Sequence, residues 1–554
     1  MGRRFSLAGA ALAALVLACP GGGRADISGR VVDVVDGTPL AGAVVAIRAR
    51  PELGQALTGP DGHFHLPMSA PGLLEIGAAL AHDPQAPRNY LSETQQVYDG
   101  MSQVLIELPR LPAASNPTYL PPATQQSCRT CHSAYYTQWA GSRHAGAAVN
   151  PWVLDLFSGT GTPGGAAGYV FKDLHDPGDT GFCATCHAPM QDLLVPGGMM
   201  LDEVGSPAGL EGVNCHACHQ LAHVNDDIDA LHHRGNGEYR FPLGTSDSSF
   251  YVWGTLPDVP TSPMQNSYSP LHGDSRLCAS CHQYTNPATG APGQNTYREW
   301  LASPYAQPGP GQRHCQDCHM PTQSGSAVIG SGGPSRPGSQ RHAHTMIGAT
   351  PPRLTQNILL RVQARQEGAQ VVVDAEVENR CGHNFPTGIS LRNALLVVDV
   401  RLDGEPLVQS GGGTVPWWAD DDVPGVQPGD YAGWPGRGFA KVLAGRINGA
   451  GPQVAPVLFI DAEEVLEDSG IPSGGTDASS YRFTVPAGLA PGAQVEVDVR
   501  LLYRRAWRAL AVTKGWTQTP GGMPVEIEVQ RTQLPVALAP VSDAVFSDGF
   551  ETAR

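Results

Sequence analysis

Ten of the twelve cysteines in this 554-residue chain fall into five copies of one pattern, Cys-x-x-Cys-His: CRTCH at 128–132, CATCH at 183–187, CHACH at 215–219, CASCH at 278–282 and CQDCH at 315–319. Nothing else constrains the fold so tightly, because five sites of fixed covalent geometry must be built and held close by one chain. Two thiols separated by two residues, with an imidazole directly behind them, are the attachment pattern of c-type haem. The thiols form thioethers to the porphyrin edge and the histidine lies beneath the iron. Zinc and vicinal redox disulfides are the competing chemistries for CxxC pairs. Neither has a use for a histidine after every second cysteine, and five units leave one without a mate in a zinc ribbon. The expected cofactors are five c-type haems, bound through Cys128, Cys131, Cys183, Cys186, Cys215, Cys218, Cys278, Cys281, Cys315 and Cys318. His132, His187, His219, His282 and His319 are then the proximal iron ligands.

The opposite face of each iron needs its own ligand or stays open. SAYYTQWAG, after the first motif, has no proline and predicts a helix toward His144. Twelve helical residues at about 1.5 Å each separate His132 from His144 by roughly 18 Å. Two imidazole nitrogens on one metal lie about 4 Å apart, each roughly 2 Å from it. His144 is therefore expected to serve a different haem. The other distal candidates are His272 in SPLHGDSRLC, His344 in RHAHTM, His383 in CGHNFPTG, and a fifth taken as His223, with His175, His232, His233, His314 and His342 as alternatives. YTQWAGSRH (136–144) is echoed by YREWLASPY (297–305), where Tyr305 stands in place of His144. That lost histidine is the one feature favouring an open iron. By spacing, the second and third motifs and the fourth and fifth are the close couples.

Around the motifs the pattern changes. Arg3 and Arg4, the apolar run FSLAGAALAALVLA and the small residues up to Ala25 read as a signal peptide over 1–25, with Cys19 as an alternative lipid-anchor site. No later run is long enough to span a membrane. Residues 26–110 alternate as short strands between DGTPLAG and GPDGH turns, and 111–126 is a proline-rich linker. Residues 127–348 hold every motif in glycine- and proline-rich loops with short helical pieces. Alternation returns over 349–535, leaving a tail at 536–554. A net charge of −16, becoming −19 when Arg3, Arg4 and Arg24 leave with the leader, argues against a nucleic-acid partner.

Two resemblances follow from these stretches. GRVVDVVDGTPLAGAVVAI and TGPDGHFHL resemble carboxypeptidase regulatory-like (transthyretin-like) β-sandwich domains, which implies a non-catalytic spacer or contact module. CRTCHSAYYTQWAGSRHAG, SPLHGDSRLCASCH, CQDCHMP, RHAHTMIG and GHNFPTG are similar to the multihaem c-type cytochromes related to cytochrome c554 and hydroxylamine oxidoreductase. That likeness covers about residues 128–390 and implies that the histidine of the W-x-x-S-x-H element ligates another haem. The expected fold is multidomain: a loop-rich, mainly short-helical multihaem cytochrome c domain flanked by two β-sandwich domains. The expected function is electron relay in the periplasm or outside the cell, through mostly bis-histidine haems, with redox proteins as partners and no catalytic residue. The alternatives are an oxidoreductase with one open iron acting on nitrite, hydroxylamine or a sulfur oxyanion, and a homo-oligomeric extracellular haem filament. The absence of any CxxCK motif weakens the first.

Overall fold

The computed structural model describes residues 26–540 apart from 68–71, 115, 117, 226–236, 240–250, 262–263, 421–422, 424–426 and 491, and only the backbone of 237–239. The expected leader with Cys19, residues 541–554 of the tail, and His232 and His233 lie outside the described residues. The chain forms two contact units. The first comprises the chain up to Ala81, Arg88–Leu111 and a short excursion, Pro257–Thr261; the second comprises the rest.

In the first unit the alternation seen in the sequence becomes two sheets on one core. Ile27–Asp33 lies between His63–Leu66 and Val104–Leu108. Val44–Ile47 and Leu73–Ala79 form the middle of the other sheet, flanked by Gln55–Leu57 and Glu93–Tyr98. Alternate residues point to opposite faces of a strand, so Ile27, Val31, Val45, Phe64, Ile76, Val97 and Ile106 meet between the sheets. The excursion is built into this unit through Asp258. Its buried carboxylate accepts the Ala49 N–H at 2.5 Å, where Ala49 takes a positive φ of 60°. A Cβ on Gly77 would lie 2.3 Å from the Asp258 Cα, so the strand accepts the excursion only because residue 77 is glycine.

The second unit holds the motifs and the carboxy-terminal strands together. Its helices are short, none longer than the eight residues of Ser133–Ala140 among those described. The second to fifth motifs each end a helical turn on their own histidine: Cys183–His187, Cys215–His219, Arg276–His282 and Cys315–His319. Carboxy-terminal to them, Ile358–Glu367, Gln370–Asn379, Thr476–Thr484 and Gln409–Gly411 form one sheet. A second sheet runs Glu464–Asp468, Gly436–Ala444, Asn393–Leu402, Gln494–Arg504, Glu526–Ala537. They share a core of Val371, Val373, Leu396, Val398, Tyr481, Phe483 and Val499. Strand Asn393–Leu402 is buried almost continuously rather than on alternate residues. Its other face packs Leu395 and Val397 against Trp418, Trp507 and the partly buried Leu156 of the motif region, the pattern of a strand covered on both sides.

Lysine is scarce, and all three lysines are committed. Lys172 pairs with Asp202, and Lys441 with Glu299 and Asp468. Lys514, 1% exposed, donates to the carbonyls of Asp155, Gly165 and Tyr169. Beside it Trp516 stacks on Trp152 and donates to the Asp155 carboxylate. The segment after the first motif is thereby fastened to the carboxy-terminal sheets.

Candidate haem site

Four of the five motif histidines share one arrangement. Nδ1 of His132 meets the Ile329 carbonyl at 3.1 Å, that of His187 the Ala147 carbonyl at 3.1 Å, that of His219 the Trp253 carbonyl at 2.8 Å, and that of His319 the Ile347 carbonyl at 2.5 Å. Nδ1 of His282 lies 2.9 Å from the side-chain amide of Gln294. The Gln294 amide donates to His282, whereas a carbonyl can only accept, so in the other four Nδ1 carries the proton and the lone pair is left on Nε2. This is how a metal-binding imidazole is oriented and its tautomer fixed. The site at His132 is tight: a Cβ on Gly330 would lie 2.7 Å from its ring.

Three of these histidines face a second histidine ring. His144 and His282 have ring centres 6.2 Å apart, His319 and His383 6.3 Å, and His219 and His344 6.2 Å. Two imidazoles on opposite sides of one metal, each with nitrogen about 2 Å from it, have ring centres on the order of 6 Å apart. Two of the distal candidates show the same tautomer control: Nδ1 of His344 donates to the His342 carbonyl and that of His383 to the Asn384 carbonyl. Burial lowers the pKa of His144 and His383 and brings His344 to about 4 and His282 to about 3, so these imidazoles are neutral, as metal ligation requires. The residues present therefore fit haem iron.

His272 lies close to the same motif as His344. Its ring centre is 5.6 Å from that of His219, and its Nε2 donates to the Cys218 carbonyl, leaving a buried Nδ1 without a hydrogen-bond partner. His344 also reaches the first motif, since its N–H donates to Gln138 and its ring packs on Tyr135. His223 stands on strand Leu221–Val224 and is in none of the three pairs. Among the alternatives, His175 has both nitrogens engaged, by the Phe171 carbonyl and the Asp461 carboxylate. His342 Nδ1 is held by the Met320 carbonyl, and His314 Nδ1 accepts the Ser275 N–H.

The cysteines pair across motifs in an order that spacing does not give. The thiols of Cys215 and Cys128, of Cys186 and Cys281, and of Cys278 and Cys315 lie close enough to shift one another's pKa. The first motif thus adjoins the third, and the fourth adjoins both the second and the fifth. None of the eleven described cysteines is in a disulfide. Burial pushes Cys183 and Cys218 up to about 12.

The sequence echo is built into three dimensions. Tyr136 and Trp139 have ring centres 5.6 Å apart, as do Tyr297 and Trp300. Trp139 donates to the Val213 carbonyl and Trp300 to the Arg313 carbonyl, each two residues before the first cysteine of the adjoining motif. The amides of Val213 and Arg313 return hydrogen bonds to the carbonyls of His144 and Tyr305. One device therefore joins the first motif to the third and the fourth to the fifth. At Tyr305 the side chain turns away and donates to the Arg380 carbonyl.

With this geometry in hand, comparison with known proteins is informative in one segment. Residues 127–220, containing the first three motifs, match the family model of cytochrome c554 and c-prime. No curated protein sequence matches the chain. Among solved structures, the chain is similar to a penta-heme cytochrome c552 from Thermochromatium tepidum, with 21% identity over 74% of this chain and 98% of that one and a TM-score of 0.48. Another is MtrC from Shewanella baltica OS185, with 12% identity over 91% of this chain and 65% of that one and a TM-score of 0.12. A type II cohesin–X-dockerin complex from Acetivibrio cellulolyticus aligns with 16% of this chain and 56% of that one, at 17% identity and a TM-score of 0.11. With scores below 0.5, none of these structural alignments bears on function. The family match and the motifs together support a multihaem c-type cytochrome.

Proposed function

We propose that the chain is an exported electron-relay protein carrying five c-type haems, one on each Cys-x-x-Cys-His motif. The observation that carries this reading is the set of facing histidine rings 6.2–6.3 Å apart, with Nδ1 of His319, His344 and His383 tied to backbone carbonyls. Bound haem supplies one-electron transfer between ferric and ferrous iron, with axial ligands and burial setting its potential. The chain's own residues do the rest. In this reading His144 opposes His282 and His383 opposes His319. Of His272 and His344, one opposes His219 and the other serves the adjoining first motif, with His223 as the remaining candidate. Two imidazoles on each iron exclude small substrates and keep coordination alike in both oxidation states, which suits relay rather than catalysis.

The amino-terminal sheets act in this reading as a carboxypeptidase regulatory-like contact module, and the carboxy-terminal sheets as a second sandwich supplying His383. Among the described residues no helix is long and apolar enough to cross a membrane. The segment at 1–25 acts as the export signal, directing the chain to the periplasm or beyond, where donor and acceptor proteins meet it.

Haem content and spin state test this together. The pyridine haemochrome spectrum of purified protein is expected to give five c-type haems per chain. The ferric spectrum is expected to be dominated by low-spin iron that does not take up nitrite or CO. A colourless protein with reactive thiols defeats the cofactor reading. Five haems with a large high-spin fraction that binds nitrite defeats relay in favour of an open-iron reductase.

A further inference from the structure

The strands of the carboxy-terminal sheets neutralise their arginines. Arg361 pairs with Glu376 and Glu378, Arg365 with Asp374, Arg437 with Asp477 and Arg531 with Asp498. Three arginines without such a partner among the described residues lie together: Arg392 and Arg505, just beyond the strands, and Arg143. Strands Asn393–Leu402 and Gln494–Arg504 are antiparallel with Asn393 opposite Arg504, so the next positions outward set Arg392 opposite Arg505. Like charges directly opposite on neighbouring strands repel. Arg143 reaches the same end of the sheet from the motif region. It donates to Thr519 and lies over Gly521, in the turn whose Pro524 carbonyl accepts from Arg505. The remaining bonds of Arg392 and Arg505 go to the carbonyls of Thr387 and Ala349. Among the described residues none of the three has a carboxylate partner. Burial and the charges of Arg392 and Arg143 lower the pKa of Arg505, so the cluster is held together against its own repulsion.

Its position is specific. Arg143 immediately precedes His144. The loop leading to Arg392 pairs Ile389 with Gln294, the residue that touches His282 Nδ1. The cluster therefore stands beside the His144–His282 pair. Three guanidinium groups, two of them half-buried, call for an anion that accepts planar paired hydrogen bonds, which is a carboxylate or similar oxyanion.

We propose that Arg143, Arg392 and Arg505 form an oxyanion site beside the His144–His282 pair, filled by carboxylate oxygens of the bound haem or by a free oxyanion of like geometry. The haem source rests on the functional reading above; the site itself rests on the arginines. The holoprotein is compared with Arg392→Gln and Arg505→Gln, with Arg→Lys at both positions as the charge-retaining control. Haem content and thermal unfolding establish that each variant is loaded and folded.

If haem carboxylates fill the site, resonance Raman shows the propionate bending band of one haem shifting in the Gln variants. One midpoint potential falls as the cations are removed, and Lys restores it in part. If a free oxyanion fills it, sulfate binds the wild type in titration calorimetry at one site and at least tenfold more weakly in the Gln variants, with the Raman bands unchanged. Fully loaded variants with unchanged bands, unchanged potentials and no sulfate site in the wild type overturn the proposal. A wild type without haem overturns the functional reading instead, and the sulfate titration still decides this one.

Discussion

His144 shows how much a single residue can be asked. Its Nδ1 is buried and has no hydrogen-bond partner among the described residues, a state that costs about 1–3 kcal/mol when nothing compensates it. Its ring faces that of His282 at 6.2 Å. His144→Ala is expected to turn one haem high-spin, and that haem is the one on the fourth motif rather than the first. Electron paramagnetic resonance of the ferric protein would show one new high-spin centre per chain, and an unchanged spectrum refutes the pairing. In the sequence, the rise of a helix only directs His144 away from its own motif, and the helix stops at Ala140; that it faces the fourth motif was not legible. Nor was the crowding of His272 and His344 around His219. It depends on where two loops, 53 and 125 residues further on than His219, return in space, and no local pattern encodes that return.

At the scale of elements, loops are held by partners remote in sequence. Glu299, on helix Thr296–Leu301, accepts from the Thr387 hydroxyl at 2.5 Å and the Asn384 N–H at 3.3 Å, and receives Lys441 at 3.3 Å. It fixes the loop that presents His383. Glu299→Ala leaves Lys441 with Asp468 as its ion-pair partner at 3.6 Å and frees the loop donors of Thr387 and Asn384, at a cost of about 1–3 kcal/mol. The expected result is partial high-spin character at the fifth motif as well as a lowered unfolding midpoint, while Glu299→Gln keeps the loop contacts and most of the low-spin signal. A spectrum unchanged in Glu299→Ala argues that the loop holds itself. The excursion Pro257–Thr261 is a second case. Asp258→Ala leaves the Ala49 N–H buried and unpaired and is expected to destabilise the amino-terminal sheets by about 1–3 kcal/mol in urea denaturation; Asp258→Asn, which keeps an acceptor, loses less. The strands themselves were legible from period-two alternation and turn residues. Glu299 and Asp258 were not, since a lone carboxylate in a loop-rich stretch carries no sign of a partner 85 to 209 residues away.

Across the whole molecule the buried histidines set the response to acid. Burial lowers His216 to about 4, His272 and His282 to about 3, and His319 and His344 to about 4. In the unfolded chain each takes a proton near pH 6.5. The unfolded state therefore binds more protons as pH falls, and native stability, complete above about pH 6.5, is lost progressively toward pH 3–4. Iron ligation acts in the same direction, because a ligating imidazole must stay neutral. The paired carboxylates Glu367, Asp374 and Glu378 are held below their usual range by arginine hydrogen bonds, so they lose their contribution only at lower pH. The interval from about pH 6.5 to 4.5 thus belongs to histidine. His216 bears on the same interval, its Nε2 meeting the Ser127 hydroxyl at 2.9 Å. Urea midpoints measured from pH 7.5 to 4.5 are expected to fall steadily in the wild type and less steeply in His216→Gln, with the Soret band following the ligating histidines in both. A midpoint that holds level or rises on acidification would show that these imidazoles are not buried as neutral groups, and the facing pairs on which the haem reading rests would go with them.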